Sequence, residues 1–167
     1  MKRILVLGSG GAGKSTFSKR LGGILDIDVI HLDRLYWRPN WQEVMPFEWQ
    51  TIVGEIISRE SWIMDGNYTT TREMRIRACD SVIFLDMSRH VCLYRILKRT
   101  LIYHGQSRPD MPPGCNERFD LEFALWVWNY PNRSKKKILE TLGQFPGKNI
   151  VVLRSSSEVD AFLESLG

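Results

Sequence analysis

A short segment near the start of the chain has the residue types and spacing suited to binding phosphate. Four apolar residues, 4–7, lead directly into Gly8-Ser9-Gly10-Gly11-Ala12-Gly13-Lys14-Ser15-Thr16, which has the form G-x-x-x-x-G-K-S. Glycines let the backbone take positive φ angles and bring successive N–H groups close to a polyphosphate. We expect Lys14 to lie along the β- and γ-phosphates, Ser15 to ligate a bridging Mg²⁺ and Thr16 to contact the α-phosphate.

A chance match is the alternative explanation of this segment. Ordinary residue frequencies place the four fixed positions together in about one chain in a hundred of this length. The motif also precedes apolar residues at helical spacing, namely Phe17, Leu21, Ile24 and Leu25, so it has the strand-loop-helix setting that the chemistry requires. We therefore predict that residues 8–16 bind nucleotide through backbone N–H groups at a helix N-terminus.

Carboxylates follow three apolar segments of strand length. Asp33 follows residues 29–32, and Asp65 follows residues 62–64. Because the carboxyl ends of parallel strands form the ligand edge of an open α/β sheet, both are candidates for ligand contact. Asp86 follows the next such segment, and helix capping is favoured over catalysis for it.

Aromatic and basic residues alternate just after Asp33, over residues 34–41. Trp37 and Trp41 could stack on a planar ring of a ligand. The alternative is that both indoles only pack a small flap of the protein. The sequence leaves both explanations open.

The hydrophobic pattern predicts a three-layer α/β fold with a parallel sheet. The first strand is continuously apolar, as expected for a strand buried on both faces. The predicted strands are residues 2–7, 29–32, 62–64, 81–85 and 149–153. The predicted helices are about 14–25, one with Pro46 at its first position, a short one carrying Arg72, Arg75 and Arg77, one capped by Ser88, about 120–142 broken near Pro131, and 157–166.

Composition bounds the function classes. The 167 residues, 43% of them hydrophobic, suffice for one core, so a single domain over 1–167 is expected. No run of 18 apolar residues and no signal sequence occurs, which predicts a cytoplasmic protein without a membrane partner. Cys79, Cys92 and Cys115 form no C-x-x-C pair and are expected to be reduced. A net charge of +4 does not by itself indicate nucleic acid.

Five motifs together resemble the nucleoside-monophosphate-kinase-like branch of P-loop NTPases, which includes relatives of adenylate and shikimate kinases. Within that branch the chain resembles small bacterial proteins of the DNA-topology-modulation or flagellar-regulation (FlaR) type. The motifs are G-S-G-G-A-G-K-S-T at 8–16, H-L-D-R-L-Y-W-R-P-N-W at 31–41, W-I-M-D-G-N-Y at 62–68, S-V-I-F-L-D at 81–86 with Arg95 and Arg99, and R-P-D-M-P-P-G-C-N-E-R-F-D at 108–120.

The resemblance implies a five-stranded parallel sheet of order 2-3-1-4-5 with helices on both faces. It also implies a substrate-binding flap near 34–60 and a lid near 103–118, a Gly- and Pro-rich segment that is irregular on its own pattern. An acid at the end of the third strand holds Mg²⁺ through water in such kinases, a role that falls on Asp65. Asp33 resembles the acid that hydroxyl-directed kinases, such as shikimate and uridine kinases, place after the second strand.

The chain departs from adenylate kinases at one place. Those enzymes clamp the monophosphate with an arginine just after their D-G motif, whereas Asn67-Tyr68 stands here and the nearest arginine is Arg72. AMP is therefore not the favoured acceptor. The lid contains only Cys115, so the four-cysteine zinc site of some adenylate kinase lids is not expected.

The predicted activity is phosphoryl transfer from ATP, with Mg²⁺, to a nucleoside, a nucleoside monophosphate or a hydroxylated metabolite; the choice between ATP and GTP is open. Lys14 and Arg99 would neutralise charge, and Asp33 would orient or deprotonate an acceptor hydroxyl. The remaining candidates are Tyr36, Trp37 and Arg72 for the acceptor, and Arg108 and Arg118 from the lid.

Two other classes compete with this prediction. A regulatory ATP-binding protein that contacts DNA is suggested by the resemblance, but no helix-turn-helix, zinc finger or basic-aromatic platform occurs, so no specific nucleic acid is expected. A plain ATPase is disfavoured because a flap and a lid serve to exclude water. The sequence leaves open whether the protein is a monomer or a homodimer.

Overall fold

Five parallel strands form the central sheet of the computed structural model, which describes residues 1–108 and 111–167. In chain order the elements are β1 (Arg3–Gly8), α1 (Lys14–Leu25), β2 (Val29–His31), α2 (Leu32–Tyr36), β3 (Trp37–Arg38), β4 (Gln42–Glu43), α3 (Pro46–Ile57), β5 (Trp62–Asp65), α4 (Thr69–Ala78), β6 (Ser81–Leu85), α5 (Arg89–Ile102), α6 (Leu121–Asn129), α7 (Ser134–Gly143), β7 (Asn149–Leu153) and α8 (Ser156–Glu164). The sheet order is β2-β5-β1-β6-β7. Counted over the sheet strands alone, this is the predicted order 2-3-1-4-5, which is confirmed.

The first strand occupies the centre of the sheet and is buried on both faces. Leu5 and Leu7 point into the hydrophobic core on one side of the sheet, and Ile4 and Val6 point into the core on the other side. All four side chains are fully buried. The end of β1, where the phosphate-binding motif begins, is thereby fixed between β5 and β6.

Two local features differ from the sequence prediction. The second strand stops at His31, so Asp33 lies in the short helix α2 instead of directly at a strand end. The predicted flap segment contains an antiparallel hairpin, β3 with β4, joined by a 3₁₀ turn at Pro39–Trp41. The break near Pro131 is confirmed, since a 3₁₀ turn at Tyr130–Asn132 separates α6 from α7.

The flap hairpin and the predicted lid segment are bonded to each other. The backbone N–H of Asn40 donates to the Gly114 carbonyl (3.0 Å), and the Trp41 indole N–H donates to the Asn116 carbonyl (3.2 Å). The Cys115 thiol lies 3.2 Å from the Arg38 carbonyl. Residues 109 and 110 of the predicted lid lie outside the described residues.

Two sequence expectations concern covalent chemistry and membranes. The thiols of Cys79, Cys92 and Cys115 are all free and buried. Among the helices in the described part of the chain, none combines the length and the apolar character needed to cross a bilayer.

Candidate active site

The phosphate-binding motif forms a tight loop between β1 and α1. Gly11 and Gly13 take φ angles of 73° and 94°, in the left-handed region that favours glycine. A Cβ atom on Gly11 would lie 2.3 Å from the Cys92 carbonyl oxygen of α5, so only glycine fits there. Gly10 keeps an ordinary φ but would place a Cβ 2.5 Å from the Phe123 ring of α6. Gly10 therefore serves close packing, and not the positive φ that we expected of it.

Asn67 ties this loop to the segment that follows β5. Its side-chain amide donates to the Gly8 carbonyl (2.8 Å), and its carbonyl oxygen accepts from the Gly8 backbone N–H (3.3 Å). Both polar groups of one amide are thus used on the first residue of the phosphate loop. Sequence reasoning treated Asn67 only as the occupant of an arginine position and did not predict this contact.

Lys14 folds back across the loop. Its ammonium donates to the carbonyl oxygens of Gly8 and Ser9, both at 3.0 Å. Burial lowers the pKa of Lys14, the carboxylates of Asp33 and Asp65 oppose that shift, and the charge of Arg99 adds to it. Asp33, Asp65 and Arg99 therefore all lie close enough to Lys14 to act on its charge.

Asp65 and His31 form a buried pair at the ends of neighbouring strands. The two residues face each other in the β2–β5 register, and His31 Nδ1 lies 2.8 Å from Asp65 Oδ2. Both side chains are buried. Because the parallel register alone brings them together, the sequence analysis did not predict His31 as a partner of Asp65; a strand-pairing prediction would have found it.

Asp33 receives a hydrogen bond from Tyr68. The phenol O–H donates to Asp33 Oδ1 at 2.6 Å, the short distance typical of a charge-assisted bond. Burial raises the pKa of Tyr68, and the charge of Asp33 raises it further. Tyr68 is therefore a constant donor that orients the Asp33 carboxylate, and it too escaped the sequence analysis.

The aromatic residues of the flap pack on one another. Tyr36 contacts the rings of Tyr68 (centroids 4.4 Å apart) and Trp37 (5.1 Å). Trp37 and Trp41 meet edge to face at 5.5 Å, and both are only partly buried. These contacts favour the flap-packing explanation of the two indoles, while a further contact of either ring with a ligand stays a prediction.

Three arginines follow β5 on the single helix α4, and they have different environments. Arg77 is exposed and pairs with Glu73, whereas Arg75 is fully buried and donates to the backbone carbonyls of Gly66 (2.8 Å), Asn67 (3.1 Å), Tyr68 (2.7 Å) and Thr71 (3.3 Å). Burial lowers the pKa of Arg75 to about 9, and the neighbouring Arg72 adds to the shift. Arg75 therefore holds the loop that carries Asn67 and Tyr68.

Replacing Arg75 by methionine is expected to lower the free energy of unfolding by about 2–4 kcal/mol, because several buried carbonyls lose a charged donor at once. Activity should fall as well, since Asn67 and Tyr68 lose their support. Arg77→Met is the matched control and should cost no more than about 0.5 kcal/mol. Urea denaturation of the two variants measures the difference; equal, small losses would show that Arg75 does not hold this loop.

Two of the predicted arginines, Arg99 and Arg108, share one buried carboxylate. Glu117 accepts from Arg99 Nε (3.1 Å) and from the Thr100 hydroxyl (3.2 Å), and its second oxygen lies 2.7 Å from Arg108 Nε. Glu117 is itself buried. Arg118 is exposed, and within residues 1–108 and 111–167 it forms no hydrogen bond or ion pair with Glu117. Glu117 is a further residue that the sequence analysis missed.

A cavity of about 380 Å³ lies next to the phosphate loop, between the end of β6 and α8. Arg95 borders it and donates to the Ala12 carbonyl (3.2 Å) and to the Ser156 hydroxyl (3.0 Å). A larger cavity of about 690 Å³ opens beside Lys2 and Asn149, near the starts of the strands, and contains none of the predicted site residues.

Asp86 does not cap a helix, which corrects the sequence prediction. The Ser88 hydroxyl caps α5 by accepting from the Val91 N–H (3.3 Å). Asp86 instead accepts a 2.7 Å bond from the Lys135 ammonium of α7. The ion pair links the end of β6 to α7.

Solved structures of small-molecule kinases resemble this chain over almost its whole length. A shikimate kinase from Acinetobacter baumannii is 13% identical, with 99% of this chain and 90% of that chain covered and a TM-score of 0.65. A gluconokinase from Sinorhizobium meliloti 1021 is 17% identical, with 99% and 93% covered and a TM-score of 0.54. A sugar kinase from Janibacter is 17% identical, with 99% and 90% covered and a TM-score of 0.52.

No protein-family model and no curated protein matches the sequence. At identities this low, structural likeness carries the fold and not the substrate. The likeness extends over almost all of both chains. It therefore includes the parallel sheet and the phosphate loop between β1 and α1. The chain therefore has the P-loop kinase fold of these enzymes.

Proposed function

We propose that this protein is an ATP- and Mg²⁺-dependent phosphotransferase acting on a small acceptor. The observation that carries the proposal is the position of Lys14 over the Gly8 and Ser9 carbonyls, with Asp65 paired to Val6 of β1 in the sheet register. The carboxylates of Asp33 and Asp65 both oppose the lowering of the Lys14 pKa. A cation for the transferred group and two carboxylates beside it are the components that phosphoryl transfer to a hydroxyl requires. The likeness to small-molecule kinases supports the same activity.

The two sides of the loop suggest a division between nucleotide and acceptor. Backbone N–H groups of residues 8–16 would bind the phosphates, and the cavity beside Arg95 would take the base, on the β6–β7 side of β1. Asp33, Tyr36 and Trp37 lie on the opposite side, after β2. The acceptor would bind there, beneath the flap.

Ser15 and Asp65 fit the proposed Mg²⁺. Among the described residues, the Asp65 carboxylate takes part in a single hydrogen bond, to His31, which leaves one oxygen for a metal-bound water. A hydroxyl and a carboxylate are hard oxygen donors, and Mg²⁺ in phosphate sites completes its shell with phosphate oxygens and water. When bound, the ion would neutralise charge on the phosphates. His31 would hold the Asp65 carboxylate in place.

The proposed reaction moves the γ-phosphoryl group to an acceptor hydroxyl. The acceptor oxygen forms a bond to the γ-phosphorus, the bond to the bridging oxygen breaks, and ADP leaves with that electron pair. Asp33, oriented by Tyr68, takes the hydroxyl proton. A phosphate acceptor would need no base. Lys14 and Arg99 would neutralise the charge, with Arg108 and Arg118 available from the lid.

A transfer screen tests the proposal. ATP and Mg²⁺ are supplied with nucleosides, nucleoside monophosphates and hydroxylated acids, and ADP formation is compared with a sample lacking acceptor. We expect one acceptor class to raise ADP formation well above the acceptor-free rate. ADP formation that is independent of every acceptor would instead support a plain ATPase.

The salt dependence of DNA binding can distinguish the alternative function, regulation through DNA, from the proposed phosphotransferase. The resemblance to FlaR-type proteins is what suggests it. Binding that neutralises Z phosphates loses affinity with a log–log slope of about −0.9Z. We expect only weak, sequence-independent binding to duplex DNA, lost as salt rises. Tight, site-specific binding at physiological salt would favour the regulatory function.

A further inference from the structure

Arg72 is a buried guanidinium that the described residues do not neutralise. Its side chain is only 6% exposed. Nη2 donates to the Thr69 hydroxyl (3.0 Å), but Nε has no hydrogen-bond partner, and no ion pair within 1–108 and 111–167 includes Arg72. Burial lowers the pKa of this arginine. A buried charge in this state is costly to the folded protein.

The other arginines of α4 show what a structural role looks like on the same helix. Arg75 satisfies its guanidinium with four backbone carbonyls, and Arg77 pairs with Glu73 in solvent. Arg72 has neither arrangement. Groups retained at a cost to stability are concentrated at functional sites.

Tyr130 supplies a second buried donor beside Arg72. Its ring is only 4% exposed, and its hydroxyl has no partner in hydrogen-bonding geometry among the described residues. Burial raises the pKa of Tyr130, whereas the charge of Arg72 and the Asn67 side chain both lower it. Asn67 is bonded to Gly8, and α4 begins two residues after Asn67 with Arg72 in its first turn. Arg72 and Asn67 both act on Tyr130, so the two donors lie near the start of the phosphate loop.

We propose that Arg72 and Tyr130 bind the anionic group, a carboxylate or a phosphate, of the acceptor. The Arg72 Nε–H and the Tyr130 O–H are both buried, and neither meets a hydrogen-bond acceptor among the described residues. Two such donors match two oxygens of one anion. The acceptor is then a hydroxylated acid or a phosphate ester, and not a neutral sugar or nucleoside. Naming the acceptor rests on the proposed phosphotransferase function, whereas the anion subsite itself does not.

A binding experiment tests the subsite without any turnover. The phosphate loop is first filled with Mg²⁺ and a non-hydrolysable ATP analogue, so that added anions cannot bind there. Inorganic phosphate and acetate are then titrated, and the melting temperature is followed for the wild type, Arg72→Gln and the control Arg77→Gln. We expect at least one anion to raise the melting temperature of the wild type and of Arg77→Gln but not that of Arg72→Gln.

The same experiment separates a binding arginine from a structural one. Without anion, Arg72→Gln should melt no lower than the wild type, because the substitution removes an unneutralised buried charge. If anions still raise the melting temperature of Arg72→Gln, the proposal is overturned. It is also overturned if no anion raises the melting temperature of the wild type. A response to phosphate alone would identify a phosphate ester, and a response to acetate as well would include carboxylic acids.

Turnover with matched acceptors then tests the acceptor class. Gluconate is compared with glucitol, and nucleoside monophosphates with their nucleosides. We expect kcat/KM to favour the anionic member of the productive pair by about 10- to 100-fold, the value of one or two charge-assisted hydrogen bonds, and Arg72→Gln to remove this preference mainly through KM.

The two proposals fail in different ways. Equal use of charged and neutral acceptors, unchanged in Arg72→Gln, would overturn the anion subsite and leave the phosphotransferase proposal standing. Anion binding that depends on Arg72, without transfer to any acceptor, would support the subsite and count against the phosphotransferase.

Discussion

Replacing Lys14 by alanine is expected to reduce turnover by at least about 10³-fold and to weaken ATP binding, while the protein stays folded. Preorganised charge at the transferring group contributes about 10²–10³ per donor, and Lys14 also binds the phosphates before transfer. Within the described part of the chain, its ammonium hydrogen-bonds only to the carbonyls of Gly8 and Ser9, and Lys14 is not among the buried residues of the core. Steady-state rates, calorimetric ATP titration and thermal melting measure the three effects.

Lys148 provides a matched control for this experiment. Its ammonium also binds two backbone carbonyls, those of Arg77 (2.8 Å) and Cys79 (2.6 Å), but at the opposite end of the sheet. Lys148→Ala should lower the melting temperature and leave kcat and ATP affinity near the wild-type values. Near-normal turnover in Lys14→Ala would remove the proposed role of the phosphate loop.

The second large effect concerns the two strand-end carboxylates, whose variants should fail differently. Asp33→Asn should reduce transfer to a hydroxyl acceptor by about 10²- to 10⁴-fold, the usual range for a lost general base, with ATP binding nearly intact. Asp65→Asn should raise the Mg²⁺ requirement and slow turnover with every acceptor. The contacts support this division, since Asp33 is oriented by Tyr68 from the acceptor side and Asp65 by His31 at the strand ends.

Pre-steady-state ATP binding and steady-state transfer, measured in both variants, test whether Asp65 serves the metal and Asp33 the acceptor. If the acceptor is a monophosphate, no base is needed, and Asp33→Asn should then act mainly on the acceptor KM. Because Asp33 and Asp65 both act on the charge of Lys14, a small change in ATP affinity is expected in either variant. An equal loss of Mg²⁺·ATP affinity in both would show that the separation into metal-side and acceptor-side acids is wrong.

Local patterns in the sequence were sufficient to predict most of the fold. The bounds of α1 and of the fourth sheet strand agree with the prediction because a continuous apolar run or a helical repeat specifies them locally. The flap strands β3 and β4 have two residues each, too few to show an alternating pattern. They form only because a turn brings them together.

The candidate site was predictable only in part, because its pairs join distant parts of the chain. Asn67 meets Gly8, and His31 meets Asp65, only once the sheet order and register exist. The sequence located the carboxylates and the lysine by their positions after strands. It could not supply partners separated by more than thirty residues, nor the difference in burial between Arg72 and Arg77.

Phosphorus NMR of the reaction with ATP, Mg²⁺ and the productive acceptor tests the phosphotransferase proposal most directly, because it follows where the γ-phosphoryl group goes. We predict that a new phosphate ester or anhydride signal of the acceptor grows at the rate at which the ADP signals grow, one for one, and that Lys14→Ala abolishes both. Inorganic phosphate appearing in place of the phosphorylated acceptor, at an unchanged rate of ADP formation, would contradict the proposed transfer.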